Sequence, residues 1–263
     1  MKKLENWWSK AFQKGFWPLS QLMSSRDWTE KASKEILFIV KLLKLPEGAR
    51  FLDVGCGIGR HSIELANHGY RAVGLDISRK YVNEATARAR KIKPKPVFLK
   101  KDMRKIEFKN EFDAAISLFT SFGYFPKKAD DILSVRRIYR SLKPGGALVM
   151  DLFNGTPVKK SLDQLAQKGE SLHEWMELSN GSLLLQNPIY ISRKNATLTR
   201  WIHIENGRRR EVTSFTRAYT KKSLLSLLEK IGFQKIRFFG GLDGSRFCMK
   251  KSNRLVAVGI KPR

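Results

Sequence analysis

The sequence predicts a doubly wound, mostly parallel α/β sheet that carries an antiparallel β insertion. Phe51-Leu-Asp-Val-Gly-Cys-Gly-Ile-Gly-Arg60 reads as an apolar strand, a glycine turn and the start of a helix. Further apolar runs alternate with helical stretches, and runs end in acids at Asp53, Asp76 and Asp102. Such alternation with short connections argues a parallel sheet with helices on both faces. Between about Gly155 and Thr220 the pattern gives way to strand-like segments joined by turn pairs. Asn-Gly is the strongest short hairpin signal, so these segments predict an antiparallel meander.

The elements follow in order. Trp8, Phe12 and Phe16 recur four apart and predict a short amphipathic helix that Pro18 stops. A helix over 30–43 places Ile36, Ile39, Val40 and Leu43 on one face, and Pro46-Glu-Gly48 turns into the first strand. The pattern then predicts strand 50–54, helix 59–68, strand 71–75, helix 79–92, strand 96–100, strand 112–117, helix 128–142 and strand 146–152. The meander strands are 173–178, 182–193, 196–205 and 210–219, with turns at Asn180-Gly181, Lys194-Asn195 and Asn206-Gly207. Along the third of them Leu198, Arg200, Ile202 and Ile204 share one side, and Thr199, Trp201 and His203 the other. Helix 221–231 stops at Gly232, and strands 233–239 and 255–260 close the chain. The expected organisation is an aromatic N-terminal segment (1–29), a core (30–155 and 220–263) and a β-rich insertion (156–219).

At 263 residues and 42% hydrophobic, the chain can bury one large α/β core. No run approaches the ~18 apolar residues of a membrane span. The N-terminus carries Lys2 and Lys3, but Glu5, Asn6, Lys10 and Lys14 break any apolar signal-peptide centre, so a cytoplasmic protein without a membrane partner is expected. Cys56 and Cys248 have no zinc spacing, and no metal is expected. The formal charge of +27 leaves a nucleic-acid partner open beside a uniformly basic surface. Lys91, Lys93, Lys95, Lys100, Lys101, Arg104 and Lys105 cluster in sequence, and so do Arg208, Arg209 and Arg210.

The G-x-G-x-G spacing differs from the dinucleotide G-x-G-x-x-G because Arg60 follows the last glycine. Leu52-Asp-Val-Gly-Cys-Gly-Ile-Gly59, Gly74-Leu-Asp-Ile-Ser78, Lys101-Asp-Met103, Phe112-Asp-Ala-Ala-Ile116 and Leu142-Lys-Pro-Gly-Gly-Ala147 occur in one order. On these motifs the chain resembles the class I S-adenosylmethionine-dependent methyltransferases, with a Rossmann-like core. The meander before the last helix resembles the cap of the small-molecule members. The resemblance implies a cofactor site of Asp53, Gly55, Cys56, Gly57, Gly59, Arg60, Asp76, Ile77, Asp102, Met103 and Leu118. Backbone N–H groups of the glycine turn would cup the cofactor, and Asp53 would orient its ammonium or tie the turn. Asp76 would accept from the ribose hydroxyls. Asp102 would accept from the adenine amino group, or else balance Lys100, Lys101 and Arg104. Cys56 is a small residue that fits, or a thiol. His61 approaches the methionine tail or simply packs.

The acceptor is less specified. Phe119, Phe122 and Tyr124 line its pocket or belong to the core, and Arg217 binds it or is an exposed strand arginine. By the same resemblance the N-terminal aromatics are a lid over the cofactor, with core packing as the alternative. The region after the fourth strand lacks Asn-Pro-Pro-Tyr and the attacking thiol that cytosine C5 chemistry needs. His173, His203, Glu174 and Tyr190 are candidate bases without a motif. The expected activity is methyl transfer to N or O of a small molecule, possible oligomerisation being through the insertion. An RNA methyltransferase and a non-catalytic S-adenosylmethionine-binding regulator are the rivals.

Overall fold

The computed structural model of the protein describes residues 6–23 and 26–263; Lys2, Lys3 and Glu5 lie outside the described residues. The N-terminal segment forms α1 (Trp7–Gln13) and α2 (Leu19–Leu22). The core then runs α3 (Arg26–Leu43), β1 (Arg50–Val54), α4 (Arg60–Asn67), β2 (Arg71–Asp76), α5 (Arg79–Arg88), β3 (Val97–Lys100), β4 (Phe112–Ser117), α6 (Lys128–Ser141) and β5 (Leu142–Phe153). After α7 (Gly155–Gln167) come β6 (Glu174–Glu177), β7 (Leu183–Ile191), β8 (Ala196–Glu205) and β9 (Arg208–Arg217). The chain ends with α8 (Lys221–Ile231), β10 (Gln234–Phe239) and β11 (Arg254–Ile260).

The main sheet has the order β10-β11-β5-β4-β1-β2-β3. Its core pairs β1·β2, β1·β4, β2·β3 and β4·β5 are parallel, while β11 runs antiparallel to both β5 and β10. The chain moves outward from β1 through β3 and then crosses to β4. The strand order therefore reverses between β1 and β4, and the crevice at their carboxyl ends is where such sheets bind ligands. Strand alternation divides the core in two. Leu52, Val54, Phe112, Leu148 and Met150 meet α6 and α8 on one face. Phe51, Ile116 and Val149 meet Ile36, Ile39 and Leu65 of α3 and α4 on the other. Each such large side chain contributes about 1.5–3 kcal/mol by its burial. Local signals set the helix ends: Ser78 caps α5, and Thr220 with Ser223 forms a capping box on α8.

Some elements differ from expectation. α1 ends before Gly15, whose positive φ breaks the helix, so Phe16 lies beyond it. α7 stands in a stretch, before the strands read from 173 onward, to which the sequence assigned no element. Asn154 caps it by accepting from the Thr156 N–H, and Pro157 falls in the first turn, where a missing N–H costs nothing. The four inserted strands form a separate antiparallel sheet in the order β6-β7-β8-β9. The N-terminal aromatics Trp7, Trp8, Phe16 and Trp17 are buried against Phe125 of the core and Leu178, Leu184 and Phe215 of that sheet.

Candidate functional site

A cavity of about 830 Å³ opens at the carboxyl ends of β1, β2 and β4. That is large enough for a cofactor and a small second ligand. The core contributes the glycine turn and the strand-end acids; Trp7, Trp8, Phe12 and Trp17 form another wall, and the inner face of the inserted sheet closes it. Thr197, Thr199 and Trp201 of β8 face this space, following the alternation read from the sequence.

The glycine turn is closed by bonds within the protein. Gly55 and Cys56 donate their N–H groups to the Leu75 carbonyl (2.8 and 3.0 Å), and Gly59 donates to Cys56. The Gly57 N–H donates to Asp76 Oδ2 at 3.0 Å. This corrects the expectation that these N–H groups cup a ligand: closing the turn uses them. Its contribution is close approach. A Cβ on Gly55 would stand 2.6 Å from the Ser121 Cβ. Gly59 does not line the cavity; a Cβ there would meet Phe98 and Ala85, so it serves helix–strand packing.

The acids differ in what they have left to offer. Asp76 accepts from the N–H groups of Gly57 and Ser78, which leaves further lone pairs facing the cavity wall it forms. Burial pushes its carboxyl up to about 6 against those two N–H bonds. Asp53 accepts from the Ser62 hydroxyl at 2.7 Å and ties the turn to α4, and burial raises its carboxyl too. Asp102 lines the cavity, but both its oxygens are engaged by Arg104, Oδ2 with Nη2 at 2.6 Å. Of the two sequence alternatives for Asp102, charge balance is the contact observed, with Arg104 alone; Lys101 instead pairs with Glu107. Met103, Ile77, Leu118 and Cys56 line the cavity, and burial pushes the Cys56 thiol up and out of nucleophilic use. His61 is held at 2.7 Å by Glu35, and Arg60 lies 3.4 Å from the same carboxylate.

The loop after β4 is strained. Phe119 and Thr120 have φ of 54° and 58°, a conformation that costs about 1–3 kcal/mol per residue and clusters at functional sites. Asp151 holds it in place: the Phe119 N–H donates to its carboxylate (3.1 Å) and the Thr120 N–H to its carbonyl (2.9 Å). Arg254 in turn grips the Asp151 carboxylate. Thr120, Ser121, Asp151 and Arg254 were not singled out from sequence, because no local spacing marks them.

Several expected residues lie elsewhere. Phe122 is core, stacked on Tyr219 at 5.5 Å, whereas Phe119 and Tyr124 do line the cavity. Arg217 is neither free nor exposed: it pairs with buried Asp131 at 2.6 Å and donates to the Phe125 carbonyl. His203 is buried; Arg210 donates to its Nδ1, so its Nε2–H donates to Ser182. Burial, then Arg210, lowers its pKa. His173 is exposed and outside the cavity, and the Tyr190 hydroxyl donates to Asn195 outside it as well. Of the four candidate bases only Glu174 reaches the cavity. Among the described residues no cluster could hold a metal ion, and no helix is long and apolar enough to cross a membrane.

Residues 51–146 match the family described as a methyltransferase domain. The chain is 30% identical over 153 residues to the glycine/sarcosine N-methyltransferase of Parasynechococcus marenigrum (strain WH8102), covering 56% of this chain and 51% of that protein. It is 29% identical over 133 residues to the dTDP-3-amino-3,4,6-trideoxy-alpha-D-glucopyranose N,N-dimethyltransferase of Streptomyces venezuelae, covering 51% and 54%. These matches span about half the length of either relative. The fold is that of an S-adenosylmethionine-dependent methyltransferase from Clostridium acetobutylicum ATCC 824, with a TM-score of 0.75 at 16% identity over 93% of this chain and 96% of that one.

Proposed function

We propose, for a chain whose residues 51–146 carry a methyltransferase domain within the class I methyltransferase fold, that it transfers methyl from S-adenosylmethionine to nitrogen of a small molecule. The observation that carries this reading is the single cavity wall shared by the glycine turn, Asp76 and the inner face of the inserted sheet. The residues fit the cofactor: Asp76 has acceptor capacity for two hydroxyls, and Gly55 lets the turn close onto Ser121 where both line the cavity. Met103 and Ile77 would flank the adenosine, and Asp53 would stand near the amino-acid tail. Bound S-adenosylmethionine supplies an electrophilic methyl group whose departing thioether is neutral. The chain's own part is then to hold, align and exclude water, and alignment alone can supply much of the acceleration.

Nitrogen is favoured over oxygen by the groups in reach. A hydroxyl acceptor benefits from a base, while an amine needs only to be unprotonated. On the inserted sheet Glu174 is the sole carboxylate lining the cavity, at an exposed position where Gln186 donates to it. Burial raises the Tyr124 phenol, so it stays protonated and is no base. The relatives' names give small-molecule amines as their acceptors, which supports a metabolite over RNA. The two free cysteines, Cys56 and Cys248, suit a reducing cytoplasmic setting.

Label from methyl-labelled S-adenosylmethionine, added with a fractionated lysate, is expected in the small-molecule fraction. Label only in RNA or protein, or none above background, rejects the reading. Asp76 provides a finer check. Its ionised form accepts hydroxyl hydrogens best, so cofactor affinity should rise as pH climbs through about 6 and then level off. The unliganded fold shows the opposite sign: the proton held between the ordinary 3.8 and about 6 stabilises it, and that stability is lost as pH rises through this window. Asp76→Asn should flatten the affinity profile and weaken cofactor binding by about 1.5–3 kcal/mol, measured by calorimetry. An unaltered profile places the ribose elsewhere.

A further inference from the structure

Although the chain carries +27 overall, the charge inside the cavity is of the other kind. The cationic side chains among the described residues that line it are Arg60 and Lys101, with His61 beside them. All three lie on the core side, paired with Glu35, Glu107 and Glu35 respectively. Among the described residues, the N-terminal segment and the inserted sheet contribute no cation to the lining, and their one charged lining residue is Glu174. Arg217, the arginine that joins that sheet to the core, is spent on Asp131. An anionic group brought into this half would be desolvated with no counter-charge among the described residues, which costs several kcal/mol.

The same half offers aromatic surface. Trp7, Phe12, Trp17, Tyr124 and Trp201 form one connected wall, with centroids 4.7 Å apart for Phe12–Trp17, 5.7 Å for Trp7–Tyr124 and 5.9 Å for Trp17–Trp201. Trp7–Tyr124 and Trp17–Trp201 meet edge to face, so the wall is a corner rather than a flat stack. Neighbouring rings already carry a protein cation: Arg104 lies over Trp8 and Phe125, Arg210 over Phe16 and Arg60 over Trp28. Among the described residues no lysine or arginine lies over the five rings of the wall. Ring faces of this kind attract ligand ammonium groups and apolar bodies alike.

We propose that the acceptor is an amine with an apolar body and no carboxylate, phosphate or other anionic group, held by the aromatic corner and drawn in by Glu174. This rests on the methyl-transfer reading above and narrows it. It also sets the chain apart from the two relatives, whose acceptors, glycine and a dTDP-linked sugar, both carry negative charge. Thr199 and Ser214 on the sheet floor can orient polar atoms of the acceptor but cannot neutralise an anion.

The test is a tryptophan-fluorescence titration of the full chain, without cofactor, against phenethylamine, its neutral isostere 2-phenylethanol, 3-phenylpropionate and glycine. Phenethylamine should bind saturably and at least about tenfold more tightly than either carboxylate-bearing probe, a margin typical of one desolvated charge contact. Trp201→Leu should weaken it by about tenfold. Glu174→Gln, at an exposed position where folding is not at stake, should weaken phenethylamine a few-fold and leave 2-phenylethanol unchanged. Equal or tighter binding of a carboxylate, absence of saturable amine binding, or indifference of the amine to both substitutions overturns the proposal. Calorimetry with S-adenosylmethionine runs in parallel: its failure removes the methyl-transfer reading, while the amine preference is read without the cofactor.

Discussion

Asp131→Ala should cost the fold about 3–5 kcal/mol, the range for leaving one partner of a buried ion pair alone. Asp131 is fully buried on α6, and its Oδ2 accepts from Arg217 Nε at 2.6 Å and from the Tyr219 hydroxyl at 2.9 Å. Removal strands a guanidinium whose side chain is 11% exposed and a buried phenol. Arg217 also donates to the carbonyls of Phe125 and Pro126, so it fastens the end of β9 to the loop that walls the cavity. The substitution should therefore loosen the inserted sheet as well as lower the denaturation midpoint. Replacing both partners with apolar residues, Asp131→Leu with Arg217→Met, should recover much of the loss, because no charge is then left buried. A loss under about 1 kcal/mol in Asp131→Ala would mean that the pair is solvated and does not join the inserted sheet to α6.

Gly55→Val should nearly abolish cofactor binding and destabilise the fold by about 2–5 kcal/mol. Two costs add. Gly55 has a φ of +79°, which a side chain adopts at about 1–2 kcal/mol. Its Cβ would also lie 2.6 Å from the Ser121 Cβ, and overpacking of that kind costs about 1–3 kcal/mol. Ser121 has little freedom to yield, since it donates to Leu118 O at 2.8 Å and its loop is pinned through Asp151. Gly181 separates the two costs: its φ is +75°, yet nothing lies within 4 Å of an added Cβ. Gly181→Ala should show the backbone cost alone, with cofactor affinity intact. If chemical denaturation and calorimetry find Gly55→Ala no worse than Gly181→Ala, the turn is not pressed against the Ser121 loop.

Much of the site was legible because it is local. The glycine turn, the acids at the ends of β1 and β2, and the apolar–polar alternation of β8 each lie within a few residues of the signal that announces them. The residues that misled are those whose partners are remote. Asp131 and Arg217 are 86 positions apart, and nothing near either one says that they meet. His203 reads as a base on a strand, yet Arg210 across the β8–β9 hairpin and Ser182 from the β6–β7 turn enclose it. The helix after Asn154 was hidden because Gly155-Thr-Pro157 reads as a break, while a cap makes the same residues a first turn.

By itself the sequence determined the strand and helix order of the core from β1 to β5, the doubly wound class, the glycine turn and the hairpins of the insertion. Those depend on periodicity and on backbone preferences of single residues, which act over a few positions. Only the tertiary structure decided which side chains remain available to a ligand. Asp76 keeps acceptor capacity while Asp102 is gripped by Arg104, Tyr124 reaches the cavity while Phe122 stacks in the core, and Arg217 is used to hold the inserted sheet to α6. Buried polar groups must find partners, and those partners are set by the packing of whole elements rather than by neighbours in the chain.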